Sequence, residues 1–209
     1  MTPSIPGPAY RIVTPRLVIR CWQPSDIHLY EKAINESVEH LKTFMPWAGG
    51  YPEDIQQGIE RLRRFRGMFD LGQDFTYAVF NRDETAVLGG TGLHLRLGST
   101  AREIGYWVHK DWTRQGIATE ISATLTRVAF EVDGVERVEI HCAVENAASA
   151  AVPRKLGYTH EATLRMRNRL LDGQLHDSMV WSIFRDAYQQ SPSAQAQLEA
   201  YDAAGRRIL

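Results

Sequence analysis

Residues 103–119 read Glu-Ile-Gly-Tyr-Trp-Val-His-Lys-Asp-Trp-Thr-Arg-Gln-Gly-Ile-Ala-Thr, and this stretch decides the fold. Arg102–His109 has strand composition, a short loop follows, and a helix starts at about Ile117. Helix starts leave backbone N–H groups without partners and carry partial positive charge. A pyrophosphate satisfies both where the backbone can come close, and Gly116 and Ala118 have the small side chains that this needs. Arg114 and Gln115 can add side-chain donors. Alone, a loop with one glycine is a weak motif, because helices often start with glycine. The order of elements around it supplies the weight.

Upstream, Arg11–Trp22 alternates Leu17, Ile19 and Cys21 with Val18, Arg20 and Trp22 and reads as a first strand. Pro24-Ser25-Asp26 starts a helix through about Leu41, with Ser25 or Asp26 as its cap. Pro52-Glu53-Asp54 starts a second, through about Leu71. Between them lies the aromatic loop Phe44–Tyr51, which includes Trp47. It reads equally as a hydrophobic plug or as a wall on the substrate side. Phe75–Asn81 and Val87–Leu97 are further strands, and the glycines of the latter suggest bulges or close backbone approach.

Downstream, Ile117–Val132 is a helix, Arg137–Val144 a buried strand, and Ala147–Leu156 a short helix stopped by Gly157. Tyr158–Leu171 and His176–Phe184 form a hairpin around Asp172-Gly173, a pair favoured in tight primed turns. The pattern predicts one mixed α/β (α+β) domain over residues 10–185 with a largely antiparallel sheet. The unit from residue 102 to 144 calls for one parallel pair. Residues 1–9 read as a flexible arm, and the polar tail 186–209 as a weak helix or disordered.

The chain has 209 residues, 44% hydrophobic and 23% charged, with a formal charge of −1. That is ordinary for a globular domain and gives no global field for nucleic acid or an acidic membrane. Cys21 and Cys142 read as buried free thiols rather than a disulfide. The N-terminus has no apolar export segment and no run is long enough to span a membrane, so a cytoplasmic setting is expected. The seven histidines form no metal-like spacing with the cysteines, and no metal is expected.

TPRLVIR, MPW, EIGYWV, QGIATE, ENAASAAVPRKLGY and DGQLHD, in this order over Tyr10–Phe184, resemble the GCN5-related N-acetyltransferase (GNAT) superfamily. Within it they resemble the ribosomal-protein N-terminal acetyltransferases of RimJ/RimL type. The resemblance implies a mixed sheet splayed between its fourth and fifth strands, helices on both faces, and acetyl-CoA held in the splay. The pyrophosphate would lie on Arg114, Gln115, Gly116, Ile117, Ala118 and Thr119. Pantetheine would run along Trp107, Val108 and His109, with Asn146 and Lys155 on the cofactor and Ser149 near the thiol. Relatives often form homodimers. Thr113 and Arg114 depart from the family loop, and Pro153 stands where many members carry a general-acid tyrosine.

Acetyl transfer to an amine needs a base, an oxyanion donor and a proton for the leaving thiolate. Glu103 is the first candidate base, its bland alternative being a solvated strand-end carboxylate paired with Arg102 or a neighbour. The Val108 N–H is the candidate oxyanion donor. Ser149 is the candidate thiolate acid, or else a helix-surface serine. A base position used by some ribosomal-type relatives corresponds to Asn168, which cannot act as a base and is left to bind substrate. Trp47 would face the substrate. Asp177 orients substrate or steadies the hairpin. The expected acceptor is a protein N-terminal amine, with a small amine as the competitor and a non-catalytic acyl-CoA sensor as a third reading. Glu36, Glu39, Glu53 and Asp54 permit an acidic groove for a basic protein tail.

Overall fold

The computed structural model describes residues 7–209, so most of the expected arm lies outside the described residues. Nine strands form one sheet: β1 (Arg11–Val13), β2 (Leu17–Cys21), β3 (Phe75–Asn81), β4 (Val87–His94), β5 (Ala101–Val108), β6 (Arg137–Ala143), β7 (Thr159–Arg169), β8 (Leu175–Phe184) and β9 (Glu199–Tyr201). Their order is β7-β8-β6-β5-β4-β3-β2-β1-β9. Every pairing is antiparallel except β5 with β6. Helices α1 (Ile27–Lys42) and α2 (Ile55–Asp70) precede β3; α3 (Ile117–Glu131) and α4 (Ala147–Lys155) flank β6; α5 (Arg185–Tyr188) follows β8. No helix among the described residues is long and apolar enough to cross a membrane.

The alternation in β2 sorts its side chains to two cores. Leu17, Ile19 and Cys21 join the layer under α3, where Ile121, Leu125 and Val128 are fully buried. Val18 and Trp22 join the opposite layer, with Tyr30, Ile34 and Leu62 from α1 and α2. Period two in the strand against about 3.6 in the helices gives each sheet face its own helical cover. Cys21 and Cys142 are buried and free.

Arg11–Trp22 is two strands rather than one. Pro15, which has no N–H to give a ladder, sits in a tight turn between them, and Val13 pairs back onto Val18. At the start of α1, Asp26 makes no side-chain cap bond and instead bonds Arg20 and the Gln23 N–H. Asp54 does cap α2, accepting from the Gln56 N–H at 2.8 Å.

The hairpin turn also differs from expectation. Of its residues only Gly173 has positive φ, +79°, and the Gly173 N–H donates to the Leu170 carbonyl. Both primed types need a positive φ at the first central residue, and Asp172 has none, so this is an ordinary turn closed by a left-handed glycine.

The tail is ordered, which corrects the sequence expectation. Tyr188 stacks on Phe130 with ring centroids 4.5 Å apart, Ser193 is buried, and β9 adds to the open edge of β1 with Ala200 fully buried. A three-residue strand has too little pattern to be read locally. Its stability comes from backbone bonds to an edge far away in sequence.

Candidate active site

β5 and β6 pair only over Ala101–Glu103 with Arg137–Glu139 and then diverge. Which groups face the gap follows from the register on β4. Val108 stands opposite Gly89 and the His109 N–H donates to the Leu88 carbonyl at 2.8 Å, so Trp107 and His109 point their main chain at β4. The main-chain groups of Tyr106 and Val108 therefore face the gap, where β6 no longer reaches them. Of the three residues named from sequence, Val108 turns its N–H to the gap and Trp107 and His109 turn theirs to β4; Tyr106, not named from sequence, also faces the gap. Strand parity decides this, and parity is set by pairing rather than composition.

His109 is a brace. Its Nδ1 accepts the Asp111 N–H at 3.2 Å and its Nε2 lies 3.0 Å from Glu36 on α1. These three residues can bring one ligand atom each within 4.8 Å, a grouping that sequence spacing had not suggested. With both ring nitrogens already bonded, the arrangement fixes the loop to α1.

The loop before α3 turns on two left-handed residues, Arg114 (φ +60°) and Gly116 (φ +79°). Among the described residues, the N–H groups of Arg114 to Thr119 meet no acceptor, whereas Glu120 already bonds the Gly116 carbonyl. Six successive donors at a helix start form an anion cradle. The Gln115 side chain is spent on the Asp111 carbonyl, leaving Arg114 as the free side-chain donor of the pair named from sequence. Arg16, not named from sequence, bonds the Gln115 carbonyl at 2.9 Å and Glu120 at 2.6 Å, holding the loop and neutralising the Glu120 carboxylate. The β1–β2 turn delivers it from a hundred residues away.

Across the gap, Asn146 caps α4, its side chain accepting from the Ser149 N–H at 3.0 Å. Pro153 has no N–H for the Ser149 carbonyl one turn back, and the Tyr106 hydroxyl reaches that carbonyl at 3.2 Å and Ser149 Oγ at 3.0 Å. Burial pushes the Tyr106 phenol well up, against the opposing bond from Ser149, so it stays protonated. Lys155, in the last turn of α4, does not line the cavity that Asn146 and Ser149 line.

That cavity, about 960 Å³, runs from the splay past Trp107 to the Met45–Trp47 turn and to Arg167–Leu170 at the end of β7. Trp47 packs edge-on against Trp107 at 6.3 Å, and Asn168 lies on the wall. Asp177 does not line it: it accepts the Met166 N–H at 2.8 Å and steadies a bulge in which residues 165–167 oppose it alone. The bulge is what turns Arg167–Leu170 toward the opening.

Glu103 lines the cavity with its side chain 12% exposed, and Arg96 rather than Arg102 is its partner, at 3.1 Å. Beside it stand two histidines that sequence order had scattered. His94 is opposite Glu103 in the β4–β5 register and bonds Asp74. His141 on β6 bonds Glu139 at 2.6 Å, which raises its pKa; burial opposes this and the Glu103 charge adds to it.

Residues 16–159 match the family model described as an acetyltransferase (GNAT) domain. An uncharacterised N-acetyltransferase of Bacillus subtilis, YoaA, is 26% identical over 134 residues, 64% of this chain and 75% of its own. YdaF of the same organism, provisionally assigned as a ribosomal N-acetyltransferase, is 34% identical over 87 residues, 42% of this chain and 47% of its own. The structure of RimL, a ribosomal L7/L12 α-N-protein acetyltransferase in complex with coenzyme A, superposes with a TM-score of 0.74. It is 21% identical and the match covers 84% of this chain and 97% of RimL. With the match spanning more than half of its length, this chain belongs to the GNAT acetyltransferases and uses acetyl-CoA as its acetyl donor.

Proposed function

We propose that the protein moves the acetyl group of acetyl-CoA directly to the N-terminal amine of a protein or peptide. The observation that carries this reading is the course of the cavity. It begins at the splay, where Tyr106 lines it, and runs out between Met45–Trp47 and Arg167–Leu170, leaving room for the chain behind an amine. The six donors of Arg114–Thr119 would take the pyrophosphate, and Tyr106 and Val108 the pantetheine amides. The Val108 N–H is suited to meet the charge that grows on the thioester oxygen. Ser149, with Tyr106 behind it, would return a proton to the departing thiolate. The likeness to RimL adds fold-level support.

A second reading is favoured by charge. Glu36, Glu39, Glu53 and Asp54 build no acidic groove, being engaged with His109, Lys42, Arg61 and the start of α2. With Arg61 paired to Glu53 and Arg96 to Glu103, Arg167 and Arg169 remain on the cavity wall against the carboxylate of Asp74. That excess suits an acceptor with a carboxylate or phosphate, whether a small amine or a peptide with an acidic start. Thiol release from acetyl-CoA tests both, using peptides with acidic and basic starts and small amines with and without a carboxylate. Turnover confined to small amines would remove the first reading. Coenzyme A binding with no turnover on any amine would favour a sensor over an enzyme.

A further inference from the structure

We propose that His94, held by Asp74, is the base that takes the proton from the acceptor amine; this rests on acetyl transfer taking place at the splay. His94 ends β4, and Asp74 stands just before β3. The His94 Nδ1 lies 3.0 and 2.9 Å from the two Asp74 oxygens. An ionised carboxylate can only accept, so Nδ1 carries a proton, and in the neutral ring the lone pair is on Nε2. Burial works to raise the Asp74 pKa, but the bonds and charge of His94 and the charge of Arg96 outweigh it and hold the group below the usual carboxylate range. Asp74 therefore stays an acceptor.

The space around the ring is made by two glycines. A Cβ on Gly92 would stand 2.6 Å from His94 Cε1 and 2.7 Å from Nε2, and one on Gly105 would stand 3.2 Å from Nε2. Gly92 and Gly105 face each other in the β4–β5 register. Neither has the positive φ that would call for glycine on backbone grounds. Gly105 lies between Ile104 and Tyr106, where β5 leaves β6, so the lone pair of Nε2 is at the mouth of the splay. Asp74, His94, Gly105 and Tyr106 line the same cavity.

The ionisable neighbours do not compete for this role. Glu103, from β5, is engaged by Arg96, and His141, from β6, by Glu139. Among the described residues no donor meets His94 Nε2. A second hollow of about 470 Å³ is also lined by Asp74, His94 and Arg96 and offers the proton a way to solvent. In the step itself, the amine nitrogen bonds the acetyl carbon and the carbon–sulfur bond breaks. One N–H proton passes to Nε2, directly or through one water, and the thiolate takes a proton from Ser149, which solvent restores.

The test follows thiol release from acetyl-CoA by the full-length protein, across pH and an amine panel, for wild type, His94→Gln, Asp74→Asn and Glu103→Gln. His94→Gln is expected to lower kcat by about 100-fold or more and to flatten the acidic limb of the pH profile. Coenzyme A binding should be unchanged. A His94→Gln protein with wild-type kcat and profile overturns the proposal. If peptides fail and a small amine works, the N-terminal reading falls, and the comparison on that amine still judges His94. Imidazole ¹⁵N NMR of the substrate-free protein gives a readout apart from turnover. A protonated Nδ1 that Asp74→Asn disturbs is expected; a protonated Nε2 in the neutral ring overturns the proposal even if no amine is acetylated.

Discussion

The Tyr106 hydroxyl donates to the Ser149 carbonyl, the acceptor that Pro153 leaves without a helical N–H. An apparent helix fault is thereby turned into a bond across the splay. The same hydroxyl sits 3.0 Å from Ser149 Oγ, the group proposed to return a proton to the thiolate.

This coupling predicts non-additive mutants. Tyr106→Phe strands a partly buried carbonyl and should cost about 1–3 kcal/mol in urea unfolding. In a Pro153→Ala background the helix supplies its own N–H, so the same Tyr106→Phe change should cost measurably less. Equal costs in both backgrounds would mean that the hydroxyl is not serving the orphaned carbonyl.

Gly116→Ala places a side chain on a residue at φ +79°, which costs about 1–2 kcal/mol whatever the space. The loop can relieve that strain only by turning its N–H groups away from the anion. The KM for acetyl-CoA should rise about tenfold, with a smaller effect on kcat. An unchanged KM would show that the cradle does not hold the pyrophosphate.

The Glu139–His141 bond makes stability depend on pH in a defined direction. His141 has a raised pKa, so its contribution is full below the unfolded value of about 6.5 and is lost as pH rises through the folded value. Glu139 is lowered, by His141 first and by Arg137, against burial. Its contribution is present above the unfolded value and is lost as pH falls through the folded one. Thermal unfolding of wild type against His141→Gln should therefore show the largest gap in weakly acidic buffer, closing on both sides. A gap independent of pH would remove the charged pair as its cause.

Deleting residues 199–209 removes the partner of β1 and the burial of Ala200. The open edge should lower Tm and promote concentration-dependent association, read by light scattering. A truncated protein that stays monomeric with an unchanged Tm would show that β9 does not protect the edge.

By itself the sequence determined the elements that repeat a period over many residues. Amphipathic α1, α2 and α3, the alternating strands and the glycine before α3 were all legible, because each is a local pattern that the fold must obey. The order of these signals also determined the family. Local pattern could not show which main-chain groups of β5 face the gap, since that parity is fixed by its pairing to β4. Nor could it bring Arg16 to the cradle, Tyr106 to Ser149, or His94 and Asp74 to the side of Glu103. Those juxtapositions join residues with no sequence spacing in common. Only the register of the sheet and its divergence after Glu103 decided them, because side-chain chemistry acts over a few ångströms of space rather than along the chain.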